Sequence, residues 1–488
     1  MKYRFLIFLV FFLSVHNAIS QSLEELRQLS LPLITIETEN GIEPECEYIK
    51  APEGCWGQSI TNATKVPGQM CIFYNGKQIY NSGKFLEGEC GLTIKIRGNS
   101  TAYSQKKPYK LKLQNKADLI SIIEEYKTPE NIFNNSPVKN NEAKDKEWLL
   151  ICDNHCNLNT AIALSVCNIL RIDWVQRFQY VNLIFNGDYR GVYILQESVK
   201  AGEHRVPVSL QEGGFIIEND AYWWKENDYF MTSFIRKPLA YTYKDPESKS
   251  LSQTDKDYIQ NCVNLMELSI LKDNYQDYID ITSFAKWLLA HDILGTYDSG
   301  GSNIFLSKYN HSDTTKFQMP LLWDFDSILR TTNKWARIHN EFYFWNLFNS
   351  TNTFFTETYC NLWKNLSATF QNRIDTKITA MENSKEFADI DVSRQWDNTR
   401  WNTQNPYNST IFNTMKEWFM NRKNWLDEKI SEIHASLQIV PVLPDIQETT
   451  KFKTYTLGGI PCDETYRGPI IKKYINGKTE IVLQYNRP

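Results

Sequence analysis

The chain has 488 residues, 42% of them hydrophobic and 23% charged, with a formal net charge of -4. That composition is globular, and it excludes a broadly basic nucleic-acid binder. Aromatic residues at 14% argue against disorder and for large cores or carbohydrate contact.

Met1–Ser20 reads as a secretory leader: basic Lys2 and Arg4, an apolar run from Phe5 to Val15, and small residues Ala18 and Ser20 at the cleavage positions. The run is shorter than the roughly 20 residues a bilayer span needs. No later stretch of spanning length follows, so the mature chain is expected to be secreted, periplasmic or at the cell surface, with no transmembrane segment. Loss of two bases takes its charge to -6. All ten cysteines lie beyond the leader, an even count that permits five disulfides of unreadable pairing. Cys152-x-x-His155-Cys156 has neither the order of a haem attachment nor a second pair to close a zinc cage.

The first half is strand-rich. Leu31–Thr38 and Met70–Tyr80 alternate at strand period, with Asn75-Gly76 suited to a tight turn. Leu92–Ile96 and Tyr109–Leu113 are two further strands. Lys116–Lys146 is charged and broken, and reads as a surface loop with a short helix. Leu158–Leu170 has helical spacing. Val181–Phe185, Asn186-Gly187 and Val192–Gln196 form a hairpin, and Gly214–Ile217 another strand. From Gln260 the pattern turns helical. Phe284, Trp287, Leu288, His291 and Leu294 share one helix face, where His291 reads as a core residue. Thr356–Leu437 is mostly helical, with Trp418–Ile433 amphipathic, and Tyr455–Gln484 returns to strand around Asn476-Gly477.

Nucleotide-binding glycine motifs are missing: Lys472 stands where a phosphate loop ending in Gly477-Lys478-Thr479 needs its first glycine, and no G-x-G-x-x-G occurs. A different constellation follows the Phe284 helix. Asp298 and Asn303 flank a Gly-Ser loop, two strands follow (Ile304–Ser307 and Phe317–Leu322), and the second leads into Trp323-Asp324-Phe325-Asp326. A hairpin brings its ends together, so Asp298 and Asn303 should meet Asp324 and Asp326. The order matches the logic of a protein-kinase site: a loop Asp orienting the attacking hydroxyl, an Asn five residues on, and an Asp past a hairpin holding metal. Hard oxygen ligands suit Mg²⁺ or Mn²⁺. Arg97-Gly98-Asn99-Ser100-Thr101 with Lys106-Lys107-Pro108-Tyr109 offers positive charge on the strand-rich half. The plainer reading of that stretch is a solvated basic strand edge.

These segments, with Lys146-Glu147-Trp148-Leu149-Leu150, Asn186-Gly187-Asp188-Tyr189-Arg190-Gly191 through Glu197, and Gly213 to Glu218, resemble the spore-coat CotH kinase family in order and over most of the chain. The resemblance implies an α+β, divergent two-lobed protein-kinase-like fold, with a strand-rich N-lobe (about 31–220) and a mainly helical C-lobe (about 255–435) inside a 31–435 domain. It implies ATP with Mg²⁺ or Mn²⁺, and phosphoryl transfer to Ser, Thr or Tyr of an extracytoplasmic protein. Asp298 would be catalytic. Asn303 and Asp324 would be metal ligands, with Asp326 beside them. Lys106 or Lys107 would touch phosphates, with Arg97 and Glu197 in the nucleotide-lobe ion pairs. Two departures stand out: Asn159 replaces an Arg at the helix start, and Leu322 a Pro before the acids. The 445–488 tail, expected as a β-hairpin, is similar to sorting or anchoring tails of Bacteroidetes exported proteins and implies cell-surface association. Tyr222-Trp223-Trp224 and Phe342–Trp345 motivate a competing reading as a surface adhesin or glycan-binding protein on the same scaffold. A glycoside hydrolase using Asp324 or Asp326 is a third.

Overall fold

Alternating burial builds the first sheet. The computed structural model describes residues 25–128, 143–152, 158–232, 234–235, 237–402, 411–438, 452–456, 460–462, 468–474 and 479–484. The leader, His155, Cys156 and the Asn476-Gly477 turn lie outside the described residues. Ten strands come first: β1 (Leu33–Thr38), β2 (Glu47–Lys50), β3 (Gln58–Thr61), β4 (Val66–Tyr74), β5 (Lys77–Asn81), β6 (Leu92–Ile96), β7 (Tyr109–Ala117), β8 (Asp145–Cys152), β9 (Phe178–Phe185) and β10 (Asp188–Glu197). β4 and β6 bury every second residue, as strands with one face on a core must. β1 pairs parallel with β9 and antiparallel with β4, so the ladder β1-β9-β10-β8-β7-β6-β4 closes on itself, and β5 adds to the free edge of β4. Inside lie Ile34, Ile36, Met70, Ile72, Leu92, Ile94, Leu111, Trp148, Leu183 and Phe185.

Helix α1 (Leu119–Glu124) departs from expectation. It is the short helix foreseen in a surface loop, yet Leu119, Ile120 and Ile123 are fully buried in that same core. Asp118 caps it by accepting the Ser121 N–H at 3.1 Å.

Helix α2 (Asn159–Leu170) packs on the other side of the closed sheet, within a second and larger core. β9 serves both cores. Its residues are all buried: Val181, Leu183 and Phe185 face the first core, Phe178 and Tyr180 the second. The second core also gathers β11 (Phe215–Asn219), β12 (Tyr229–Met231), β13 (Ala240–Asp245), α3 (Gln253–Leu271), α4 (Ile281–Leu294), β14 (Ile304–Lys308), β15 (Phe317–Gln318), α5 (Phe344–Phe348), α6 (Phe354–Glu382), α7 (Lys385–Trp401) and α8 (Ile411–Gln438). Here β12-β13-β11-β14-β15 form an antiparallel sheet. α4 starts on Asp280, which accepts the Ser283 N–H at 3.0 Å, and stops at Gly295, whose φ of 57° turns the chain out of the helix. Its His291 is buried, 3.1 Å from Thr296 Oγ1, and burial pushes its pKa down to about 3.

Together these elements make a mixed α+β body within one compact unit that ends at His434; a second unit begins at Ala435. That second unit holds a three-stranded antiparallel sheet, β16 (Phe452–Thr456), β17 (Gly468–Tyr474) and β18 (Thr479–Gln484), one strand more than the hairpin expected. No described helix is long and apolar enough to cross a membrane. The expected disulfides are not found among the described residues. Nine of the ten cysteines are described, and all are free thiols. Three of them sit in separate elements: Cys152 ends β8 with Sγ 3.1 Å from the Lys106 carbonyl, Cys167 is buried in α2, and Cys360 is buried in α6.

Candidate active site

The β14–β15 hairpin decides where the acids go. Ser307 pairs with Gln318 and Lys308 with Phe317, so the residues before β14 and after β15 leave side by side. The convergence is then tied down. Tyr297 N–H donates to the Ser327 carbonyl (3.0 Å), Asp298 N–H to Ser327 Oγ (2.8 Å), and Leu329 N–H to the Leu294 carbonyl (2.8 Å). Asn303 Nδ2 donates to Asp324 Oδ2 at 3.1 Å. Both residues sit in left-handed backbone, with φ of 59° and 66°. Asn and Asp tolerate that region best among residues with a side chain.

Asp298, Asn303, Asp324, Asp326 and Arg97 line one cavity of ≈ 170 Å³. Cys152, Thr160, Gln196, Tyr222 and Trp56 complete much of its wall. Sequence reasoning did not assign these five to the site. They come from segments far apart in the chain, and no spacing rule connects them. Asn159 Nδ2 donates to the Phe325 carbonyl at 3.2 Å, so the residue standing in place of the family arginine ties α2 to the acid segment. Buried Leu322, in place of the family proline, accepts Gln176 Nε2 at 2.6 Å.

Enclosure by protein pushes Asp324 up to about 6, and the neighbouring Asp326 and Asp298 add to the shift; the Asp326 N–H and Arg97 pull the other way. The carboxylate is still open to solvent through the cavity mouth. These facts agree: water reaches it from one side, and protein crowds it on the others. Enclosure also lowers the Arg97 pKa, with Asp324 the first of the charges opposing that shift.

A larger, charged groove of ≈ 920 Å³ shares Arg97, Asn99, Tyr222, Asn303 and Trp323 with the acid cavity. Lys95, Lys110, Lys225 and Lys244 reach it. Lys110 pairs with Glu147 at 2.8 Å, Lys244 with Glu218 at 3.1 Å, and Lys225 donates to Asn99 Oδ1 at 2.8 Å. Asp220 on its wall is raised to about 6, by enclosure first and then by Glu218.

The other residues expected to bind nucleotide are elsewhere. Lys106 is buried, its Nζ 2.7 Å from Asp397 Oδ2 on α7 and 2.7 Å from the Val192 carbonyl. Lys107 donates to Tyr48 Oη (2.7 Å) and the Ala102 carbonyl (2.8 Å). Glu197 is buried and accepts the Arg177 N–H and Nε, each at 2.9 Å. Arg177 also reaches Asp118 at 2.9 Å, so Glu197 belongs to an internal ion network that fastens α1. None of the three lines either hollow, and their placement does not support a phosphate-binding role.

Among the described residues, no three His, Cys, Asp or Glu side chains form a preformed metal cage. Magnesium in phosphoryl-transfer sites asks for less: one or two carboxylates, with substrate phosphates completing the shell. Asp324 and Asp326, crowded enough to raise Asp324, with the Asn303 amide beside them, fit that demand.

A mixed α+β body with paired acids behind a hairpin and a charged groove alongside, lined by basic and acidic side chains in equal number, belongs to the kinase-like class. The chain matches the family profile "CotH kinase protein" over residues 94–428 and belongs to that family. Among solved structures it is similar to the proinflammatory kinase CtkA of Helicobacter pylori, at 10% identity, with 80% of this chain and 96% of that chain covered and a TM-score of 0.28. No curated protein matches the sequence.

Proposed function

We propose that this chain is an exported kinase that transfers the γ-phosphoryl group of ATP to a Ser, Thr or Tyr hydroxyl of an extracytoplasmic protein. The observation that carries the reading is the meeting of Asp298, Asn303, Asp324 and Arg97 in one cavity, opening on a groove rich in lysine. In this reading the closed sheet is the nucleotide lobe and the helical body the second lobe. Residues 31–435 form the kinase domain, the leader exports the chain, and the tail anchors it at the surface.

Asp298 orients the acceptor hydroxyl and takes its proton as the acceptor oxygen bonds to the γ-phosphorus. The bond from that phosphorus to the bridging oxygen breaks, and ADP leaves with the bonding pair. Arg97 offsets charge on the phosphates, and no covalent enzyme intermediate is required. Asp324, Asn303 and Asp326 would hold Mg²⁺ or Mn²⁺, which when bound neutralises phosphate charge. Trp345, more than half exposed, keeps an adhesin reading in play, but that reading leaves the acid cavity without a task.

The test is labelled ATP with Mg²⁺ or Mn²⁺ on the full mature chain, beside Asp298→Ala and Asp324→Ala. Asp298→Ala should mainly lower turnover, and Asp324→Ala should weaken nucleotide binding. Equal labelling in all three proteins, or no nucleotide binding at all, would reject the assignment.

A further inference from the structure

A third hollow, of ≈ 540 Å³, lies beside the acids. Trp56 lines both it and the acid cavity, and Gly301 of the Asp298–Asn303 loop forms part of its wall. Its character is aromatic and apolar, from Trp56, Trp223, Met231, Phe342 and Trp345. Trp56 is 66% exposed, Trp345 56% and Met231 38%. A monomer's surface seldom gathers large apolar side chains in one hollow without a ligand to cover them.

The walls are held in place. Trp223 packs on Tyr229 with ring centres 4.6 Å apart, and the Trp56 carbonyl accepts Trp224 Nε1 at 3.2 Å. Phe342 has a φ of 56°, a conformation that costs a bulky residue roughly 1–3 kcal/mol and that clusters at ligand-holding sites. The fully buried Tyr343 and Phe344 beside it hold it there.

The acid cavity thus sits between two arms of opposite character. The charged groove offers phosphates seven basic side chains, Arg97 of the acid cavity among them, set among seven acids. Among its described residues the aromatic hollow offers them one cation, Lys237, beside Asp220 and Glu341. We propose that the aromatic hollow receives the acceptor, an extended polypeptide segment carrying a large apolar side chain near the hydroxyl that is phosphorylated. This rests on the phosphotransferase reading and adds its substrate class. The lining favours a peptide over a sugar. Aliphatic Ile235, Pro238 and Leu239 stand among the rings, a mixture that suits an apolar side chain better than a hydroxyl-rich ring. Met231 adds a flexible thioether suited to varied apolar side chains.

The experiment uses the full mature chain, Mg²⁺-ATP and a Ser/Thr/Tyr peptide library randomised on both sides of the acceptor. Wild type should select Phe, Trp, Leu or Met within about four residues of the hydroxyl, the span an extended segment covers in roughly 13 Å. Trp345→Ala should flatten that selection and raise KM for the best peptide about tenfold, a common loss for an exposed aromatic anchor. Met420→Ala, at a half-exposed position on α8 outside all three hollows, should behave as wild type. Labelling without apolar preference, or a preference untouched by Trp345→Ala, overturns the acceptor assignment while leaving the kinase standing. Transfer to an oligosaccharide and to no peptide overturns the choice of a peptide. Absence of any Asp298-dependent transfer, with nucleotide binding checked by calorimetry, overturns the underlying reading as well.

Discussion

Replacing Lys106 by Met asks whether this lysine serves phosphate or the fold. Its Nζ is 2.7 Å from Asp397 Oδ2, and the two side chains are only 5% and 12% exposed. Removing one partner of a buried pair costs about 3–5 kcal/mol, because the other charge stays desolvated. Met keeps the length of the apolar stem but loses the ammonium that lies 5.0 Å from the Tyr193 ring centre, so the loss is mainly electrostatic. A second change, Asp397→Asn, removes that charge at the same volume. Volume matters here, since a Cβ on Gly191 would lie 1.9 Å from Asp397 Oδ1. The Val192 carbonyl still lacks its donor, worth about 1 kcal/mol. Lys106→Met should therefore melt roughly 5 °C lower than wild type, and the double variant should regain more than half of that. Scanning fluorimetry reads the melting temperature, and calorimetry reads Mg²⁺-ATP affinity, expected to stay within about twofold of wild type. A phosphate-binding lysine would behave oppositely, with wild-type melting and a loss in affinity of about tenfold or more. That result would refute the reasoning.

Two predictions concern pH. Asp324 has its folded pKa raised to about 6, so the fold favours its protonated form. That contribution is fully present below about pH 4 and lost as pH rises through about 6. Asp324→Asn should then melt about 1–2 °C above wild type at pH 7.5, a modest gain because the carboxylate is partly solvated, and match it near pH 4. A lower melting temperature at pH 7.5 would contradict this. His291 has the opposite sign. Its folded pKa of about 3 lies below the ordinary 6.5, so its contribution is present above pH 6.5 and lost as pH falls towards 3. Between pH 7 and pH 5, His291→Phe should lose about 2 kcal/mol less than wild type in denaturant unfolding. Parallel pH profiles would count against a neutral buried imidazole.

Local signals carried much of the fold into the sequence. Asn75-Gly76 and Asn186-Gly187 do join paired strands, with positive φ at all four residues. The Phe284 stripe does form a buried helix face, because a period of 3.6 needs only its own neighbours to be visible. The acid cluster was legible for a related reason: one hairpin determines it. Lys106 and Lys107 were not. A basic run shows charge but not direction, and whether a lysine turns outwards or towards Asp397, 291 positions later, is set by tertiary packing. Glu197 likewise was expected in the nucleotide-lobe ion pairs, and only the positions of Arg177 and Asp118 show that its partners lie in the interior, away from both hollows. The expected disulfide framework came from counting cysteines. Counting cannot show which strand or helix encloses each thiol.

The grip of α7 on the strands has a consequence for biosynthesis. Asn182 Nδ2 reaches Ser393 Oγ at 3.0 Å, and Tyr189 Oη donates to the Ser393 carbonyl at 3.1 Å. With Lys106–Asp397, these contacts join β9, β10 and the start of β7 to a helix more than 200 residues downstream. A growing chain cannot cover that outer wall of the sheet until almost residue 400 has emerged. Closing so long a loop is slow, and the waiting strands stay exposed meanwhile. Fragments ending before Lys385 should therefore emerge as sticky, incomplete bodies and not as a free-standing N-terminal half.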